Sequence, residues 1–151
     1  MRRTFIAWVV ILAGCSSATS TMGTKDIAIA TLRGQGEPVR VRVEVADSPI
    51  ERERGLMDRT SLDADGGMVF LFDDEGGAVT ARFWMKDTRI PLSIAFWDAQ
   101  GSILAIHDMD PCAADPCPTY GAPAPYVGAL EVDQGFFDEH EIHVGDTIEL
   151  S

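Results

Sequence analysis

The residues best able to do chemistry gather between Val79 and Arg89. In an extended chain successive side chains point to opposite sides, so Val79, Ala81, Phe83 and Met85 share one face and Thr80, Arg82, Trp84 and Lys86 the other. A tryptophan between two cations, followed by Asp87 and Arg89, suits stacking of a sugar ring or cradling of an anion, because indole faces and guanidinium forks serve both. The same pattern suits a structural role, with Trp84 closing the edge of a core and the charges pairing at the surface. Glu131 falls on one expected strand face with Val127 and Ala129; a carboxylate buried there needs a cation such as Arg54 or Lys86. That pairing also fits a purely architectural role. The ligand site expected from these residues comprises Arg54, Trp84, Lys86, Asp87, Arg89, Tyr126 and Glu131. Trp97 shares a face with Ser93 and Ala95, whose small side chains leave room either for a ligand or for the indole itself.

Two other chemistries compete. His107 and Met109 form a His-x-Met pair, a soft donor set suited to Cu(I), which Met57, Met68 and Met85 would complete. Against it, methionines in apolar strands commonly fill core gaps, and His107 alternates with Ile103 and Ala105 on what reads as a core face. His140 and His143 stand among acids and are expected exposed, without a role. Acid–base hydrolysis of a sugar or cell-wall substrate needs a carboxyl pair, obtainable from Asp87, Asp108, Asp110 and Glu131, with Asp87 or Glu131 as acid–base. In a chain with 24 acidic residues, availability alone is no support. No Gly-x-Ser-x-Gly elbow is present, so nucleophilic catalysis has no anchor. No catalytic residue is assigned, no cofactor is expected, and the balance leans away from an enzyme.

The elements that must position these residues are short. Val39, Val41, Val43 and Val45 alternate with Arg40, Arg42, Glu44 and Ala46, the pattern of a half-buried strand. Ser48-Pro49-Ile50-Glu51 reads as a capping box with proline at the first helical position, opening a helix to about Asp58. Glycine pairs precede strands over Met68 to Phe72 and Val79 to Met85. Leu92 to Trp97 and Ile103 to His107 flank a glycine-containing hairpin connection, and Tyr126 to Val132 reads as a strand. A helical turn capped by Asp133 and a last strand near Thr147 to Leu150 complete the reading. Short strands without a strand–helix rhythm predict one mainly β domain over 26–151, an antiparallel sandwich or jelly-roll-like barrel with one or two short helices.

The first residues read as an address. Met1-Arg2-Arg3 and the apolar run Phe5 to Leu12 have the profile of a signal peptide over 1–14, ending in Leu12-Ala13-Gly14-Cys15. That tetrapeptide resembles the lipobox of bacterial lipoproteins, which implies lipidation (palmitate among the acyl chains) and cleavage at Cys15, and stable membrane anchoring. Residues 15–25 are then a polar tether, and Ser16 after the lipidated cysteine resembles the pattern that directs Gram-negative lipoproteins to the outer membrane. The expected location is the cell envelope, facing the periplasm. Cys112 and Cys117 remain as a disulfide pair suited to that compartment. The 151 residues, 46% apolar, make one domain, and the net charge of -12 is the wrong sign for nucleic acid. An envelope protein or a small polar ligand is the partner that remains.

Read together, Glu51-Arg52-Glu53-Arg54-Gly55-Leu56-Met57, Gly67 to Phe72, Phe83-Trp84-Met85-Lys86 through Pro91-Leu92 to Phe96, and Leu130-Glu131-Val132 resemble the bacterial and archaeal family called domain of unknown function 192. The resemblance spans about Val39 to Ile148 and implies a single mainly β domain of sandwich or jelly-roll type, with no established activity. Two departures stand out: Asp87 where the family usually has asparagine, and Ser93 where it usually has aspartate. A catalytic role for that aspartate would leave this chain impaired.

Overall fold

In the computed structural model the described residues are 26–72 and 77–151. The signal segment, Cys15 and the tether lie outside them. Seven strands build most of the architecture: β1 (Ile27–Arg33), β2 (Val39–Ala46), β3 (Gly66–Leu71), β5 (Leu92–Trp97), β6 (Ile103–Met109), β8 (Gly128–Asp133) and β9 (Thr147–Leu150), with β3, β5 and β8 buried on both faces. They form one sheet in the order β6-β5-β8-β3-β2-β1-β9. Neighbours are antiparallel except β2 and β3, which run parallel and need a crossover. That crossover carries α1 (Pro49–Arg54). A two-stranded ribbon of β4 (Phe83–Trp84) and β7 (Thr119–Tyr120) and a one-turn α2 (Phe136–Glu139) complete the domain.

The sheet curls until its two edges meet at one end. Ser102 bridges Thr147, the Ile103 amide donates to the Asp146 carbonyl at 2.8 Å, and the Ile148 amide donates to the Gly101 carbonyl at 2.8 Å. The result is a half-barrel with two cores. Its inner face holds Leu32, Val41, Val43, Val69, Leu130, Val132 and Ile148 under Phe136 and Phe137. Its outer face carries Met68, Phe70, Leu92, Ile94, Phe96 and Ala129, covered by Leu56, Phe83, Met85 and Tyr126. The expected mainly β fold with two short helices is the one observed.

Several local expectations give way. The capping box forms as read, with Ser48 and Glu51 bonding reciprocally, but α1 stops at Arg54 because Gly55 at φ 45 cannot continue it. The strand over Val79 to Met85 shrinks to a bridge at Val79 and the two residues of β4, since only those positions find a partner. α2 is preceded by Gly135 in a left-handed conformation with no side-chain cap, so Asp133 does not cap it. β1, whose apolar residues do not alternate with polar ones, was not expected. A bulge opposite Phe96 and Trp97 inverts the alternation in β6, so Ile103 joins the inner core while Ala105 packs against the outer. Val127 precedes β8 and packs against the inner core, away from Ala129.

Candidate ligand-binding site

Where α1 and the β4–β7 ribbon cross the outer face of the sheet they leave a cavity of about 230 Å³. The last turn of α1 and the residues after it contribute Arg52, Glu53, Arg54, Gly55, Leu56 and Met57; the end of β3 contributes Phe70 and Phe72; the ribbon contributes Ala81, Arg82, Phe83 and Trp84. Thr88 and Glu131 complete the lining. The aromatic walls are set edge to face, with Phe70 and Phe83 centroids 4.9 Å apart and Phe83 and Phe96 5.5 Å apart, an arrangement that fixes ring orientation.

Glu131 enters from β8, opposite Met68 on β3 and Ile94 on β5, so its strand neighbours are apolar. It is 4% exposed, and burial pushes its carboxyl up to about 8, which leaves it protonated at neutral pH. Among the described residues no buried polar side-chain atom is both sealed from water and unpaired. Glu131 makes no hydrogen bond or ion pair among the described residues and lines the cavity, so its carboxyl opens onto the cavity rather than onto a protein partner. Neither expected cation pairs with it among the described residues: Arg54 stands at the rim of the same cavity, and Lys86 donates to Asp115 at 2.6 Å, which raises its titration. Arg89 pairs with Asp58 at 2.7 Å.

The three arginines of the cavity differ. Arg52 donates to the carbonyls of Asp47 at 2.5 Å and Leu71 at 2.8 Å and lies 4.9 Å over the Phe72 ring, tying α1 to the sheet. Arg82 donates through Nε to Thr119 Oγ1 at 2.8 Å and through Nη2 to the Thr119 carbonyl at 2.6 Å, fastening the ribbon. Arg54 is exposed at the rim, with no ion pair among the described residues.

Of the residues expected to form the site, the structure brings Arg54, Trp84 and Glu131 together. Trp84 is 47% exposed and does not plug a core; the Lys86 ammonium lies 5.5 Å from its ring centroid. Asp87 and Arg89 line a separate depression beside Pro111 and Cys112. Tyr126 is buried, its hydroxyl donating to the Ala81 carbonyl at 2.9 Å, and supports the wall from behind. Arg52, Arg82, Phe70, Phe72 and Phe83 were not anticipated. The alternation of Met68, Phe70 and Phe72 was the available signal for the two β3 rings, and that of Phe83 with Met85 for the third.

The remaining candidates find structural employment. His107 places Nε2 2.9 Å from the Gly121 carbonyl, with its ring against Phe96 and Tyr120, and Met109 is fully buried. No cluster of three or more metal-ligating His, Cys, Asp or Glu side chains occurs among the described residues. Trp97 is buried over Gly128, where a Cβ would fall 2.2 Å from the indole, so the ring fills its own space. Ser93 is buried, donates to Asp108 and accepts from the Gly135 amide at 2.9 Å. Asp110 accepts from Gln134 at 3.3 Å. His143 is exposed as expected, whereas His140 is half-buried with its ring 4.3 Å from Phe136. Cys112 and Cys117 are joined as a disulfide, Cα atoms 5.8 Å apart.

These features define a single mainly β domain of the half-barrel type with a small aromatic-walled cavity on its outer face. The chain belongs to the DUF192 family, described as an uncharacterized ACR, which matches residues 30–150. It is similar to a protein of unknown function from Novosphingobium aromaticivorans, 31% identical with a TM-score of 0.74, over 82% of this chain and 84% of that one. It is also similar to a protein from Sinorhizobium meliloti described as a putative transcription regulator, 28% identical with a TM-score of 0.75, over 85% of this chain and 96% of that one. No curated protein matches it.

Proposed function

We propose that this domain is a binding module for a small ring-shaped ligand bearing an anionic group, an acidic monosaccharide being the glycan that fits. The reading rests on one observation: a buried Glu131 opening into an aromatic-walled cavity whose rim carries Arg54, neither of them ion-paired among the described residues. A volume of about 230 Å³ lies below the usual range for drug-sized ligands, which argues for a single ring rather than an oligosaccharide. Aromatic faces bind the body of such a ring and a guanidinium holds its carboxylate. Titration with D-glucuronate and D-glucose, followed by backbone NMR, tests this. Glucuronate is expected to perturb Gly55, Phe70, Phe83, Trp84 and Glu131 more strongly than glucose, and Arg54→Ala to weaken it about tenfold. Absence of any perturbation around the cavity at millimolar glucuronate would sink the sugar as its ligand, and failure of a ring-bearing carboxylate there as well would sink the reading.

An acid–base hydrolase is the second reading, favoured by Glu131 alone, since a carboxyl still protonated at neutral pH is what a general acid requires. Turnover of 4-nitrophenyl glycosides that disappears in Glu131→Gln would promote it. The copper reading through His107 and Met109 draws no comparable support, and the regulator description of the relative sits poorly with a net charge of -12. We infer further that the domain is carried on a lipid anchor at Cys15 in the cell envelope, facing the periplasm. The order of basic, apolar and lipobox residues supports this, as does a disulfide compatible with an oxidising compartment.

A further inference from the structure

We propose that the cavity takes a ring-bearing zwitterion of the α-amino-acid type, its ammonium at Glu131, its carboxylate at Arg54 and its ring among Phe70, Phe83 and Trp84. This deepens the small-ligand reading of the same cavity and rests on it. The argument starts from Glu131. Burying a carboxyl without a partner is costly, and the chain has 12 lysines and arginines with which to neutralise it. Yet Arg59 is committed to Glu44, Lys86 to Asp115 and Arg89 to Asp58. Arg54 shares the cavity yet makes no ion pair with Glu131 among the described residues, so a charged partner for that carboxyl can come with whatever enters the cavity.

The surroundings say which kind of group that is. Cations already rest on two of the cavity's aromatic faces, Arg52 on Phe72 at 4.9 Å and Lys86 on Trp84 at 5.5 Å, so these rings accommodate positive charge. Among the described residues the charged groups lining the cavity alongside Glu131 are Arg52, Arg54, Arg82 and Glu53, while its strand neighbours Met68 and Ile94 are neutral. A simple amine would leave the Arg54 guanidinium without an anion. A molecule that carries a carboxylate for Arg54 and an ammonium for Glu131 satisfies both ends.

The protonation of Glu131 gives the inference a signature. With its carboxyl titrating at about 8, the empty site is mostly protonated at pH 7. An arriving ammonium favours the carboxylate, so Glu131 releases its proton to solvent as the ion pair forms. A ligand with only a carboxylate has the opposite preference and releases none.

Calorimetry of the intact domain at pH 7, in phosphate and in Tris, with L-phenylalanine, 3-phenylpropionate and 2-phenylethylamine tests the proposal, because the three share a ring and the two-carbon spacing from ring to charged group. Phenylalanine is expected to bind at least about tenfold more tightly than either relative and to release close to one proton, read from the difference between buffers. Glu131→Gln, which keeps the shape of the side chain, is expected to erase both the proton release and the advantage over 3-phenylpropionate, with its circular dichroism unchanged. Phenylalanine binding no more tightly than 3-phenylpropionate, or without proton release, overturns the zwitterion and leaves the anionic-ligand reading in place. Failure of all three compounds and of D-glucuronate overturns both.

Discussion

Glu131 is where this structure departs furthest from ordinary protein chemistry. Its titration rises from the usual 4.5 to about 8 because burial disfavours the charged form and no cation compensates. The folded state therefore holds a proton that the unfolded chain gives up. The stabilisation from that proton is complete below about pH 4.5, declines as pH rises toward about 8, and is gone above it. Over that window the loss is on the order of a few kcal/mol, a large fraction of a small domain's stability. Glu131→Gln should flatten the fall in urea midpoint between about pH 5 and pH 8 and exceed the native protein in stability at pH 8. Parallel pH profiles for the two proteins would show that Glu131 is solvated or paired in solution. Burial of Glu131 was legible from its place in an apolar strand. Its lack of a cation was not, because Lys86 is drawn to Asp115 and Arg54 stands exposed at the cavity rim without pairing with it.

At the scale of elements, of the two departures from the family resemblance Asp87 acquires a backbone explanation and Ser93 a side-chain role. Asp87 has φ 55, in the left-handed region where asparagine and aspartate are the tolerated side chains, so Asp87 and the usual asparagine meet one conformational demand. Asp87→Asn is expected to leave stability unchanged, while Asp87→Val should cost about 1–2 kcal/mol by thermal or urea unfolding. Equal stability of the two variants would remove the backbone explanation. Ser93 follows Leu92 of the outer core and precedes Ile94 of the same core, so it faces inward, away from the cavity, where it joins Asp108 to the Gly135 amide. Ser93→Ala should cost about 1–3 kcal/mol in unfolding free energy through the orphaned Asp108 and Gly135 groups. It should leave ligand affinity untouched, whereas a shift in affinity would place Ser93 in the site. Strands with clean alternation, such as β2, and the capping box of α1 were legible because their determinants are local. β4 was overextended, since alternation from Val79 to Met85 states only that the chain can be extended, and Thr119 and Tyr120 decide how much of it is paired. Much of the cavity stayed hidden for the same reason: Arg52 and Arg82 line it only because a crossover and a ribbon bring α1 and β4 over the sheet's outer face.

At the scale of the whole molecule, curling gives the sheet one face that closes on itself and one that needs a cover. α1 and the β4–β7 ribbon supply that cover incompletely, and the gap between them is the cavity. The disulfide holds the segment that runs alongside, where Lys86 bridges Cys112. A net charge of -12 has the sign that anionic membrane surfaces repel. Among the described residues no helix is long and apolar enough to cross a membrane. Membrane residence, as proposed from the lipobox resemblance, would rest on the acyl chains at Cys15. Expression of the full chain in a Gram-negative host with labelled palmitate separates the possibilities. Label in the chain, co-sedimentation with membranes, and loss of both in Cys15→Ser with the folded domain released to the soluble fraction are the expected outcome. Sedimentation that survives Cys15→Ser without label would mean that the apolar run from Phe5 to Leu12 is retained and holds the protein instead, and the lipid anchor would fall.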